Sequence, residues 1–94
     1  VFFAPPDPAL SRAAFARVAR ARGVELDRRT QLLYDAHLFY LNGTAFAAAR
    51  NGRRDLARLA DRRALTGAQC AALDAATLAR LHQWYCDGYL DTGA

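Results

Sequence analysis

The sequence predicts an α+β fold: an N-terminal helix, a three-stranded antiparallel meander, then three short helices and a brief closing strand. Three observations lead there. Apolar residues recur at intervals of three and four at both ends of the chain, the pattern turns strand-like between residues 24 and 46, and Asn42-Gly43 separates two runs rich in aromatic and branched residues. With 94 residues and 53% hydrophobic content, the chain is long and apolar enough for one domain around one core and too apolar for a disordered tail. No internal repeat or low-complexity linker divides it.

The first helix is expected to begin at Asp7-Pro8, an acidic N-cap followed by a residue whose missing N–H costs nothing in a first turn. Leu10, Ala14, Phe15 and Val18 form its apolar stripe, Arg12, Arg17, Arg20 and Arg22 occupy the rest, and Gly23 is the C-cap. Strand-like runs follow at Val24 and Leu26, at 31–34, at 38–41 and at 44–46. Asn42-Gly43 tolerates the two positive φ angles of a type I′ turn, so it joins the last two as a hairpin, and Asp35-Ala36-His37 turns the chain before them.

Asn51-Gly52 is expected to close the sheet. Beyond it, Leu56, Leu59, Ala60 and Leu65 share a helical face opposite Arg53, Arg54, Arg58, Arg62 and Arg63. Thr66 caps a short helix over 67–73, and Asp74 caps another over 75–87 with Leu78, Leu81, Trp84 and Tyr85 turned inward. Gly88 ends it, Tyr89-Leu90 supplies the closing strand, and 91–94 is a loose tail.

Chemistry-bearing residues are scarce. The chain holds two His, one Glu, eight Asp and one Ser, with no nucleophile elbow and no phosphate-cradling glycine loop. His82 and Cys86, one helical turn apart, are the nearest approach to a metal-ligand pair; two ligands do not make a site, so they are expected to be a half-buried His and a core Cys. Neither His37 nor His82 begins the His-x-Asp or His-x-Glu pattern of a facial iron triad. Cys70 and Cys86 sit in alanine-rich helical surroundings and are expected to be free thiols, which fits a cytoplasmic setting. No apolar run approaches the length of a membrane span.

What remains is positive charge. All 13 basic residues are Arg, giving a formal +4, and because Lys is wholly absent Arg serves as the general surface cation rather than as a sign of nucleic-acid binding. In a helix-turn-helix the second helix enters the major groove; over 75–87 that helix carries only Arg80 and also the acidic Asp87, a poor reading head. Tyr34, Phe39, Tyr40 and Phe46 are expected to pack beneath helices rather than stack bases. Phe2-Phe3 needs a surface to lie on, either on this domain or on one preceding it.

The segment 38–46, the helix pieces Leu56-Ala57-Arg58-Leu59-Ala60 and Arg63-Ala64-Leu65-Thr66, and the closing Asp87-Gly88-Tyr89-Leu90 together resemble the C-terminal winged-helix-like domain of the bacterial ribosomal oxygenases, over residues 24–92. Those enzymes are JmjC-type cupins that use Fe(II) and 2-oxoglutarate to hydroxylate an arginine on a ribosomal protein. The resemblance implies a winged-helix-like domain over 1–94 that is a C-terminal piece of a longer chain, with 1–23 as a connector helix from a dimerisation region; the absent initiator Met fits that expectation. It implies no catalytic, cofactor-binding or metal-binding residue here, since the iron and 2-oxoglutarate residues belong to the upstream cupin. The implied role is a noncatalytic accessory or interaction domain. Its partners would be its own upstream cupin and dimerisation domains and a ribosomal protein, within a homodimeric parent and without a membrane. Arg53, Arg54, Arg58, Arg62, Phe2 and Phe3 are the candidate partner-contact residues. The alternative is a free-standing winged-helix regulator that binds nucleic acid.

Overall fold

A computed structural model describes residues 2–94. Helix α1 (Arg12–Arg22) leads into strand β1 (Val24–Leu26); β2 (Leu32–Tyr34), β3 (Phe39–Leu41) and β4 (Thr44–Phe46) follow. A 3₁₀ turn at Arg50–Gly52 opens α2 (Arg53–Arg62), and then come β5 (Ala64–Leu65), α3 (Gly67–Ala71), α4 (Ala75–Cys86) and β6 (Leu90–Thr92). The expected meander is present, with antiparallel registers Leu32↔Leu41, Tyr34↔Phe39 and Phe39↔Phe46. Its hairpin turns at Asn42, φ 49°, and Gly43, φ 88°, the two left-handed residues that match the twist of the flanking strands.

A second three-stranded sheet, not evident in the sequence pattern, stands apart from the meander. β1 pairs on one side with β5 and on the other with β6, both antiparallel, giving the order β5-β1-β6. Residues 91–92 therefore belong to a strand and not to a loose tail, and Leu65 lies on a strand rather than on the preceding helix. The cause is Arg63, which takes a left-handed conformation, φ 62°, and ends α2 by donating its N–H to the Leu59 carbonyl.

α1 begins at Ser11, four residues later than Asp7 predicts. Ser11 Oγ accepts from the Ala14 N–H, while the residue before it is held outside the helix by distant groups. The Leu10 N–H donates to the Tyr85 hydroxyl at 3.0 Å, and the Leu10 carbonyl lies 2.9 Å from His82 Nε2. Two long-range bonds to α4 thus outcompete a local cap. Thr66 and Asp74 cap α3 and α4 as expected, Asp74 Oδ1 accepting from the Thr77 N–H, and Gln69, not singled out by the sequence pattern, completes a reciprocal capping box with Thr66.

Phe15, Leu59 and Leu81 are fully enclosed at the centre of the core, which also takes Val24, Phe39, Leu56, Leu65, Trp84 and Leu90. Of the meander's aromatic residues, Phe39 lies in this core and Phe46 packs against it. Tyr34 stays 41% exposed with its hydroxyl on Asp61, and half-buried Tyr40 donates to Asp35, so the two tyrosines, each with a polar group to satisfy, do not pack beneath helices as expected. Tyr34 stacks on Phe39 at 5.4 Å, Phe39 on Phe46 at 5.6 Å, and Phe46 meets Trp84 of α4 edge-on at 5.7 Å. Buried Thr30 donates its hydroxyl to the Tyr89 carbonyl, and among the described residues no buried side-chain polar atom is left unpaired.

Candidate interaction surfaces

Three surfaces hold the residues singled out by the sequence. The first is α4, which follows α3 as the second helix of the pair. It buries Thr77, Leu78, Leu81, Trp84 and Tyr85, leaving Ala75, Ala76 and Gln83 exposed. Its single cation, Arg80, lies with its guanidinium 4.4 Å from the centre of the Phe46 ring, so it is spent on the sheet beneath it. On the same helix, half-buried His82 and Cys86 sit with Nε2 and Sγ 3.6 Å apart. Because the Leu10 carbonyl can only accept, Nε2 carries the proton and is not free as a metal ligand in this arrangement.

The second surface is the N-terminal segment. The Phe3 ring packs edge-on against Tyr89 at 4.9 Å and beneath the Arg29 guanidinium at 5.6 Å, whereas Phe2 is 90% exposed. Arg29 forks onto both carboxylate oxygens of Asp27, at 2.9 and 3.0 Å, and also donates to the Phe2 carbonyl. Those hydrogen bonds from the Arg29 side chain, with a further one from its backbone N–H, hold the Asp27 carboxyl at about 2, well below the ordinary 3.8. Phe2 and Phe3, alike in sequence, are thus separated in role: one is fastened to the domain and the other presented to solvent.

The third surface carries the arginines, which the structure sorts into two kinds. Arg53 donates to the Ala36 and His37 carbonyls at 3.1 Å and lies 5.5 Å from the Phe39 ring centre, clamping the turn between β2 and β3. Arg63 Nη2 donates at 2.8 Å to the carbonyls of Asp27 and Thr30. Sequence reasoning could not find these two uses, since the acceptors are backbone atoms of distant loops. Arg54 and Arg62 are exposed, and Arg58 makes a long contact of 3.8 Å to Asp55. Arg58 and Arg62 line a cleft of about 460 Å³ together with Arg22 from the end of α1, which the sequence reading had not placed among the contact residues. The signal for Arg22 was Gly23: a helix that stops there leaves the preceding side chain at its rim.

Asp35 and Cys70 also have displaced pKa values, each with a clear cause. Asp35 accepts from the Leu38 and His37 N–H groups and from the Tyr40 hydroxyl, which bring it to about 2. Burial pushes the Cys70 thiol up to about 11, helped by the charge of Asp55 and opposed by the Val24 backbone. Cys70 and Cys86 are both free. Among the described residues no three His, Cys, Asp or Glu side chains gather in one place, so the chain's donor set does not fit an Fe(II) centre, and no helix is long and apolar enough to cross a membrane.

A three-stranded sheet joined to the succession α2, β5, α3, α4 and β6 makes this a winged-helix domain. The ROXA-like winged helix family matches residues 1–91, and the chain belongs to that family. No curated protein matches it. A solved structure of YcfD, a ribosomal oxygenase from Escherichia coli, is similar at TM-score 0.80 and 23% identity, over 100% of this chain and 26% of that one. The same E. coli enzyme in complex with cobalt and 2-oxoglutarate gives TM-score 0.80 and 23% identity, again over 100% and 26% of the two chains. An X-ray structure of E. coli ycfD gives 0.77 and 22%, over 97% and 25%. These likenesses establish the fold, and the chain spans about a quarter of the length of the structures it matches.

Proposed function

We propose that this chain is a noncatalytic accessory domain of an Fe(II)- and 2-oxoglutarate-dependent ribosomal-protein arginyl hydroxylase, acting in the cytoplasm through contacts with the rest of its own chain and with a protein partner. The observation that carries this reading is α4. In a nucleic-acid-binding winged helix that helix supplies side chains to the groove; here its exposed positions are Ala75, Ala76 and Gln83, and Arg80 is held over Phe46. The same surface is consistent with protein contact, and so is the exposed Phe2 beside a pinned Phe3. Membership of the ROXA-like winged helix family, and the likeness to about a quarter of the E. coli ribosomal oxygenase, support the reading of an oxygenase parent.

The upstream cupin and dimerisation domains would hold the iron and the 2-oxoglutarate and would bring two copies together, while this domain adds contact surface. The test is to read the open reading frame that encodes the chain and assay its product. An upstream His-x-Asp and later His, with 2-oxoglutarate turnover by the long product and none by residues 1–94 alone, is the expected result. Turnover by residues 1–94 alone, or a reading frame with no cupin, would overturn it.

A further inference from the structure

We propose that the cleft lined by Arg22, Arg58 and Arg62 is a docking site for an acidic, extended stretch of polypeptide. This rests on the chain being an interaction domain and names the chemistry of what it takes up. Arg22 comes from the last turn of α1, Arg58 and Arg62 from successive turns of α2, and the β5 strand with Thr66 and Gln69 lies between. Arg22 and Arg62 make no ion pair among the described residues, and the Arg58 contact to Asp55 is long. The lining is rich in donors. Gln69 uses its carbonyl oxygen on the Thr66 N–H, which leaves its NH₂ group free, and the Thr66 oxygen accepts from the Gln69 N–H, which leaves its own proton to give. Guanidinium forks, an amide and a hydroxyl around one concavity match the oxygens of carboxylates.

Polypeptide is favoured over nucleic acid by what else is present. Glu25 lines the same cleft, and the register places it beside Asp91 on the open face of the sheet. A polynucleotide carries a charge at every phosphate and would set some of them against these carboxylates, whereas a peptide can place acids only where the arginines are. No aromatic ring lines the cleft to stack a base. Arg58 and Arg62 are four residues apart on a helix, about 6 Å along its axis, close to the roughly 6.6 Å between alternate residues of an extended peptide. The register also turns the Ala64 N–H and carbonyl away from β1, towards the open edge of β5, where an extended chain can meet them.

The test uses the 94-residue chain and a fluorescein-labelled decapeptide of alternating Glu and Ser, read by anisotropy at 50 mM salt. The comparison probes are the same peptide with Gln for Glu, and a uridine decamer. Saturable binding of the Glu peptide alone is expected, with Arg22→Ala and the pair Arg58→Ala, Arg62→Ala each weakening it about tenfold, as loss of partly enclosed charge pairs should. Arg17→Ala, on the outer face of α1, should leave it unchanged, and circular dichroism of every variant separates lost binding from lost folding. Absence of saturable binding, an equal loss with Arg17→Ala, or tighter binding of the uridine decamer would each overturn the proposal. Those outcomes leave the accessory-domain reading standing, since that depends on turnover by the longer chain.

Discussion

Replacing Gly23 with Ala should come close to unfolding the domain. Gly23 joins α1 to the central strand β1 with φ 76° and ψ −170°, a conformation essentially reserved for glycine, which costs any other residue about 1–3 kcal/mol. A Cβ there would also lie 2.1 Å from the Leu65 carbonyl oxygen, so β5 must move away from β1 by more than an ångström or the end of α1 must lift. Adding disrupted pairing and packing brings the total to about 3–5 kcal/mol, the range of the most damaging single substitutions. A domain of this length has about 5–14 kcal/mol to lose. Urea unfolding followed by circular dichroism reads the change; with a slope of about 1–1.5 kcal/mol/M the midpoint should fall by about 2–5 M. Gly43→Ala is the internal control, because Gly43 has φ 88° with nothing within 4 Å of its missing Cβ, and it should cost only about 1 kcal/mol. If Gly23→Ala costs no more than Gly43→Ala, the close approach that places Arg22 at the cleft is not what the structure shows.

Arg63→Ala should destabilise by about 2 kcal/mol through loss of two charge-assisted bonds to the Asp27 and Thr30 carbonyls, whereas Arg63→Gly, which relieves the left-handed backbone, should recover about 1 kcal/mol of that in the same urea assay. With Ellman's reagent at pH 8 the native protein should yield the half-buried Cys86 first, and Cys70, raised to about 11, only after unfolding; two equally fast thiols would contradict the placement of Cys70. Asp27 and Asp35 are held at about 2 in the folded chain against an ordinary 3.8, so their stabilisation is present above pH 3.8 and lost as the pH falls through 2. The thermal midpoint should therefore drop between pH 4 and pH 2, and Asp27→Asn should flatten that drop while leaving Asp35 to produce the rest.

Local chemistry was the legible part of this fold. Asn42-Gly43, Thr66 and Asp74 each act on backbone groups within a few residues, so their geometry follows from adjacent letters. The β5-β1-β6 sheet was not legible, because its strands have two or three residues, carry one or two buried apolar side chains each, and pair across long stretches of chain. The start of α1 was misplaced for a related reason: Asp7 and Ser11 are both competent caps, and the choice is made by Tyr85 and His82 on the far helix. On the surface, the arginines over 53–63 share one helical face in the sequence, where Arg53, Arg54, Arg58 and Arg62 are candidate contacts alike. In space they divide, with Arg53 and Arg63 holding carbonyls inward while Arg58 and Arg62 join Arg22 across a cleft.

The central claim is that this winged helix does not use α4 to read nucleic acid. Titrating ¹⁵N-labelled protein with duplex DNA and duplex RNA at 50 mM salt, with amide shifts mapped residue by residue, tests it most directly. The account predicts no saturable shifts along Ala75–Cys86 and no change there on Arg80→Ala. Saturable shifts centred on that helix, weakening steeply by 200 mM salt and abolished by Arg80→Ala, would contradict it.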